Sequence, residues 1–207
     1  MQLSNPEELP QFLSSLPSAV PFEVEIGCGN GHFLAEYGEK NRSLLLAGVE
    51  IKKKRCLKAA AKLERRGLDR AVIIQGRAED VLTVLPAGRV HGFHIYFPDP
   101  WPKNKHRKRR FLRRENLDRL FTCLEDNGRI IFASDFFDYY LQVKLLLLAH
   151  PGFVLSDSGA PREFYLSLYA QKSHALGKRI FTVTARKTSA NQVMEQSQHQ
   201  EQVGRQP

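Results

Sequence analysis

Short apolar runs alternate along this chain with longer amphipathic stretches. Residues 22–26 (FEVEI) alternate apolar and acidic side chains and predict a strand. The mostly apolar segment 43–51 (SLLLAGVEI), then 71–75 (AVIIQ) and 90–97, predict three more. RIIFASD, entered through an Asn127–Gly128 turn, predicts a fifth. Between them the spacing is helical: after the glycine loop 27–31 to about 39, over 52–67 with Leu57, Ala59, Ala60, Ala61 and Leu63 facing inward, over 78–85, over 112–124 and over 137–149. Leu145 to Leu148 read as part of a buried helix. The last third is less regular: 154–172 reads as loop and 179–187 (RIFTVTARK) as a final strand. Residues 1–20, with Pro6, Pro10 and Pro17, predict a flexible N-terminal arm, and 188–207, rich in Gln and Ser without periodic apolar positions, a disordered tail. One domain is left, over 21–187. Its five strand–helix alternations imply an α/β fold, a mostly parallel twisted sheet with helices on both faces. Such sheets take ligands beyond the carboxyl ends of their strands, where strand order reverses. That rule places Gly27–Gly31, Glu50–Ile51, Arg77–Glu79, Asp99 and Asp135 along one rim.

The loop after the first strong strand reads Glu25-Ile-Gly27-Cys-Gly29-Asn-Gly31. Glycines let the backbone turn sharply and approach a ligand, and the helix that follows offers free N–H groups. Glu50, at the tip of the next strand, is placed to accept both hydroxyls of a ribose. A dinucleotide loop is spaced G-x-G-x-x-G. Here the third glycine comes one residue early and an acid precedes the first. That form suits S-adenosylmethionine, which brings no phosphate but does bring an ammonium and a sulfonium for Glu25 to hold.

The segment 96–110 (YFPDPWPKNKHRKRR) changes the picture most. Pro98, Pro100 and Pro102 stop the strand and push their predecessors toward extended geometry, so Phe97, Asp99 and Trp101 are expected on a stiff extended segment. Lys103, Lys105, Arg107, Lys108, Arg109, Arg110, Arg113 and Arg114 follow with no acid before Glu115, in a chain of net charge +9. So dense a cationic stripe implies an anionic partner, and RNA above all. The helix after Glu50 adds Lys52, Lys53, Lys54, Arg55, Lys58, Lys62, Arg65 and Arg66, part of which reads as a solvated face. His94 reads as a strand residue, His106 as a phosphate contact, and Trp101 as a packing anchor rather than a stacking platform. The scattered Cys28, Cys56 and Cys123 lack metal spacing and fit a reducing compartment. No leader pattern and no membrane-length apolar run is seen, so a cytoplasmic protein, monomer or homodimer, is expected.

The pattern E-x-G-x-G-x-G, then GVE at 48–50, then FPDPWPK with HRKRR shortly after, resembles the bacterial tRNA (guanine-N7-)-methyltransferase family over roughly residues 22–187. The resemblance implies a Rossmann-like class I methyltransferase fold, S-adenosylmethionine as cofactor, tRNA as partner, and methylation of N7 of the guanosine at position 46 in the tRNA variable loop. It implies that Glu25, Gly27, Gly29, Gly31 and Glu50 hold the cofactor and that Arg77 and Ala78 flank its adenine. Asp99 would stand at the reaction centre beside the cofactor, and the tRNA would be met by Lys103, Lys105, His106, Arg107, Lys108, Arg109 and Arg110. Asp135, Ser167 and Tyr169 would touch the target nucleotide. Two positions depart from the family pattern. Arg77 stands where Asn or an acid is usual, and arginine cannot accept from an adenine amino group. Ala170 stands where the family has glutamate, which removes an acceptor for the guanine edge. Two alternatives stay open: a methyltransferase for another RNA base, and a non-catalytic RNA-binding module on the same fold.

Overall fold

The strongest apolar runs are buried on both sides, with Phe22, Val24, Phe93, Ile95 and Phe132 wholly out of water, as parallel strands covered by helices must be. A computed structural model describes residues 1–15, 17, 19–156 and 162–189. Five strands, β2 (Phe22–Ile26), β3 (Leu45–Glu50), β4 (Ala71–Gln75), β5 (Val90–Tyr96) and β6 (Leu124–Ser134), run parallel. The outer strands are β1 (Gln2–Leu3), parallel to β4, and the antiparallel β7 (Phe153–Leu155) and β8 (Phe181–Lys187). The spatial order is β1-β4-β3-β2-β5-β6-β8-β7. The chain moves outward from β2 in one direction, then returns to β5 and moves outward in the other, so the order reverses between β2 and β5.

The helices divide between the two faces. On one, α1 (Leu9–Ser14), α4 (Ala78–Val84), α5 (Arg114–Cys123) and α6 (Phe137–Leu148) close a core with Val24, Phe93 and Phe132. On the other, α2 (His32–Lys40), α3 (Lys53–Arg65) and α7 (Leu168–Ala175) pack over Leu46, Ile73 and Ile131. The buried carboxylate of Glu23 crosses this second face. It accepts from Tyr37 Oη at 2.9 Å and from Arg129 at 3.0 Å, and lies 2.7 Å from His94 Nε2; His94 Nδ1 is 2.7 Å from Tyr96 Oη. A Cβ at Gly31 (φ +67°) would sit 2.9 Å from the Cβ of Ala59, so glycine there is what lets α3 lie directly against the glycine loop.

Several expectations are corrected. Residues 1–15, expected as part of a loose arm over 1–20, are ordered: β1 extends the sheet, and Leu3, Leu9 and Leu13 are buried in the core. Pro6 and Pro10 stand at helix starts, where proline is tolerated, and Asn5 Oδ1 caps Glu7 N at 3.1 Å. Leu57 faces out, because the inward stripe of α3 is Cys56, Ala59 and Leu63. Leu145 and Leu148 are likewise exposed, since α6 turns Tyr139, Val143 and Leu147 to the core. The segment read as loop holds β7, a 3-10 turn at Arg162–Leu166 and α7. Asn127 (φ 64°) lies within β6 at a register shift instead of ahead of the strand. Of the expected tail, Thr188 is buried and bonds Gly152 through its backbone, Ser189 is the last described residue, and the rest lies outside the described residues. Among the described residues no helix is long and apolar enough to cross a membrane.

Candidate active site

The loops leaving β2 and β5 meet at the reversal point. Gly27 and Cys28 both donate to Val49 O, at 2.8 and 3.0 Å, which folds the glycine loop over the end of β3. Gly27 and Gly29 have φ of +79° and +56°, and a Cβ on either would meet nothing within 4 Å, so both face open space. Glu50 is buried; its Oε1 accepts from Lys52 N at 2.9 Å and Arg55 lies 3.5 Å from its Oε2. Gly76 N bonds Glu50 O at 3.1 Å and draws the start of α4 to the same rim.

Two cavities share Gly27 as a common wall. The first, of about 350 Å³, is lined by Glu50, Ile51, Ala78, Asp99, Trp101 and Phe111 among others. The second, of about 380 Å³, is lined by Glu25, His32, Tyr96, Phe97, Tyr169 and Lys172 among others. Glu25, Glu50 and Asp99 therefore converge at one end of the sheet, as the rim rule requires. Arg77 also lines the first cavity, tied to Glu79 at 3.7 Å. Glu79 stands on the same wall with a carboxylate, a group able to accept where arginine cannot.

Glu23 and Glu25, two residues apart on one strand face, are held at opposite extremes. Burial pushes the Glu23 carboxyl up, but His94, Arg129 and Tyr37 outweigh it and hold the pKa at about 2. Among the described residues Glu25 has no such partners: burial first, then the charge of Glu50, push it up to about 8. Glu25 Oε2 is out of water with no hydrogen-bond partner. A buried carboxyl of this kind beside open backbone fits a cationic ligand group, which would supply the charge the protein withholds.

The proline segment departs from its expected extended form. Phe97 and Trp101, each preceding a proline, have φ of 50° and 43°. Backbone in this region is strained for bulky residues and persists where surroundings over-determine it. Phe97 N donates to Ala133 O at 2.8 Å and its ring packs 4.7 Å from Tyr169. The Trp101 ring lies under Arg109 at 4.9 Å. Arg110, expected to bind RNA, is instead 1% exposed: it donates to Pro100 O at 2.8 Å, Gln142 Oε1 at 2.6 Å and Asp138 Oδ2 at 2.6 Å. The guanidinium is the buried strut of the loop that carries Asp99. Arg110→Ala is expected to cost about 2–3 kcal/mol in denaturant unfolding, below the ~3–5 of a fully buried pair because Asp138 is 40% exposed. Lys105→Ala, on the exposed turn, should leave stability within about 0.5 kcal/mol.

Other expected RNA contacts are also engaged within the chain. Arg107 pairs with Asp138 at 2.7 Å, and His106 packs edge-on against Trp101 at 5.8 Å rather than standing free for phosphate. Arg109 lines the first cavity, while Lys103, Lys105 and Lys108 lie exposed on the adjoining 3-10 turn. Asp135 lines neither cavity; it holds Lys178 at 3.1 Å and accepts from Tyr169 Oη at 3.3 Å, which sets the tyrosine at the rim. Ser167 lines the second cavity, but its hydroxyl caps α7 by accepting from Ala170 N at 3.2 Å. Residues 167 and 170 are thus the N-cap and third positions of a capping box, with the serine half alone present. Ala170 is wholly buried. His32 and Lys172 were not anticipated; the i, i+4 pair Leu168 and Lys172, both facing the cavity, was the available signal in a segment read as loop.

The family model described as "Putative methyltransferase" matches residues 19–183. The chain is 33% identical over 194 residues to the tRNA (guanine-N(7)-)-methyltransferase of Geobacter metallireducens, covering 89% of this chain and 92% of that one. It is 32% identical over 202 residues to the enzyme of the same name from Rhodopirellula baltica, covering 90% and 74%. Among solved structures it resembles a 30S ribosomal methyltransferase from an uncultured bacterium, with TM-score 0.63 at 16% identity over 90% of this chain and 95% of the other. An antibiotic-related methyltransferase superposes with TM-score 0.62 at 20% identity over 90% and 96%. At such identities the likeness is one of fold.

Proposed function

This chain belongs to the tRNA (guanine-N7-)-methyltransferase family, and from that premise we propose which of its residues hold the donor, which present the nucleotide, and where on the tRNA the methyl group goes. The reaction is S-adenosylmethionine-dependent methylation of guanine N7 in tRNA. The donor supplies an activated methyl group on a sulfonium. Glu50 takes the ribose hydroxyls, and Ile51, Ala78 and Phe111 give the adenine an apolar slot in the first cavity. Glu25 and the open backbone of Gly27 and Gly29 take the cationic amino-acid end.

The guanosine enters through the second cavity, past the paired rings of Phe97 and Tyr169, and reaches across the shared Gly27 wall toward Asp99. Its N7 already carries an in-plane lone pair, so no general base is needed before attack. The residues act by positioning, which can supply roughly 7–11 kcal/mol. Transfer leaves a cationic purine, and the carboxylate of Asp99 stabilises that charge while accepting from guanine N–H groups. Asp135 acts through Tyr169, whose hydroxyl it holds. Lys103, Lys105, Lys108 and Arg109 meet the RNA backbone. N7 in a regular A-form helix faces a groove closed to side chains, so the target is loop-borne or displaced from its tertiary contacts; the family resemblance makes it the guanosine at position 46 of the variable loop.

The observation that carries this reading is the shared wall at Gly27, which puts Asp99 and Glu25 on adjoining cavities. The test is nucleoside analysis of bulk tRNA after incubation with the protein and S-adenosylmethionine. 7-Methylguanosine mapping to position 46 is expected. Another methylated base, or no methylation, would overturn it.

A further inference from the structure

We propose that the cleft between α2 and α3 is a second binding site for the substrate, a seat for phosphodiester groups of the tRNA backbone beside the cavity that takes the guanosine. The proposal rests on the tRNA methyltransferase reading and adds a site to it. The cleft, about 480 Å³, is lined by Asn30, His32, Leu57, Lys58, Lys62 and Arg65. Asn30 and His32 also line the guanosine cavity, so the two spaces adjoin across those residues.

The charges decide what the cleft accepts. Nearby cations that do have partners are neutralised: Arg66 by Glu36 at 2.8 Å and Glu39 at 2.9 Å, and Arg55 by Glu50. Among the described residues Lys58, Lys62 and Arg65 form no ion pair. Lys62 Nζ is out of water with no hydrogen-bond partner. Burial, with Arg66 and Arg65 close by, pushes its pKa down. Burial first, then the charges of Lys62 and Arg66, push His32 down. Cations gathered without counter-charge make a favourable place for an anion.

The contrast with the basic run is direct. There Arg107 and Arg110 are matched by Asp138, Arg114 by Asp118 and Arg113 by Glu115. Cationic side chains left free to meet phosphate therefore lie on both flanks of the paired cavities. The half-exposed Leu57, at 54%, offers an apolar floor of the kind a ribose can cover, and among the described residues no Phe, Tyr or Trp ring lines the cleft to stack a base, the His32 imidazole being shared with the neighbouring cavity. The site suits backbone rather than a nucleobase.

The test compares the full chain with the triple variant Lys58→Ala/Lys62→Ala/Arg65→Ala. The tRNA dissociation constant is measured across a salt series, S-adenosylmethionine binding by calorimetry, and thermal unfolding as a fold control. Expected are tRNA binding weaker by about tenfold or more at moderate salt, and a log–log salt slope reduced by roughly two, since each phosphate contact contributes about 0.7–0.9. Cofactor affinity and kcat at saturating tRNA should hold while KM rises. Because these residues crowd like charges, the variant's melting temperature should hold or rise. The double variant Lys58→Arg/Arg65→Lys, which keeps the charge, should bind tRNA within about twofold of the parent. An unchanged tRNA affinity and slope, with the parent methylating tRNA normally, overturns the site alone. Loss of inorganic phosphate binding with an unchanged tRNA slope assigns the cleft to a small anion and also overturns it. A parent that methylates no tRNA removes the premise and the proposal with it.

Discussion

Asp99→Ala is expected to lower the rate of methyl transfer to tRNA by about two to three orders of magnitude, the usual loss when one preorganised electrostatic group at a reacting centre is removed. S-adenosylmethionine affinity should change by no more than a few-fold. The side chain is exposed to the first cavity and, among the described residues, makes no hydrogen bond or ion pair. Its substitution therefore leaves nothing buried unsatisfied, and the fold should not respond. The loop that presents it is fixed independently, through Phe97 N on Ala133 O and Arg110 on Pro100 O. Single-turnover methylation, with enzyme and S-adenosylmethionine in excess over tRNA, isolates the chemical step. Asp99→Asn divides the role further: an amide still accepts a hydrogen bond from guanine but offers no charge, so an intermediate rate is expected. Turnover of Asp99→Ala within tenfold of the parent would take this carboxylate out of the centre.

Glu25→Gln moves stability and binding in opposite directions. The Glu25 carboxyl is held up at about 8 against an ordinary 4.5, by burial first and the Glu50 charge second. Between those values the folded chain keeps a proton that the unfolded chain has released. The stability contributed by the protonated form is complete below pH 4.5 and is lost as pH rises through about 8. The decline runs on the order of 1.4 kcal/mol per pH unit in the steepest part. Glutamine does not titrate, so the ligand-free variant should lose that slope and be the more stable protein at pH 8, by on the order of a few kcal/mol. Glu23 acts the other way. Held at about 2, it contributes stability above pH 4.5 that is lost as pH falls toward 2. Denaturant unfolding across pH 2 to 9 separates the two, Glu23 acting below 4.5 and Glu25 above it. Donor affinity of Glu25→Gln should drop by about tenfold or more, because an ionised carboxylate facing a cation is replaced by a neutral amide. Calorimetry in buffers of different ionisation enthalpy should show a proton released on donor binding by the parent and none by the variant. Parallel stability curves for the two proteins between pH 5 and 8 would refute the argument.

The parts of the site that are written locally were legible. The glycine loop, Glu50 and the proline-flanked Asp99 each lie at the end of a periodic strand, and the parallel-sheet rule brings them to one rim. Arg110 could not be distinguished from Arg109 in one dimension. Its acid, Asp138, comes from α6, and only the packed structure shows that one guanidinium is a strut while its neighbour covers Trp101. The first twenty residues looked loose because β1 is two residues long and gains its partner, β4, only from distant sequence. Leu57, Leu145 and Leu148 were placed wrongly inside because hydrophobicity marks a helix's total apolar content, while neighbouring elements select which stripe is covered. The extended form expected of Phe97 and Trp101 yielded to tertiary contacts that hold both rings in place.

Gly31 and Ala59 meet across a seam too narrow for one more carbon. The loop beneath the donor and the helix bearing the unpaired lysines are thereby geared together like meshed teeth. A pull on that helix by a bound nucleic acid would be transmitted to the floor of the neighbouring chamber with little slack, so a bulkier side chain at either tooth should loosen the grip on donor and on RNA in the same stroke.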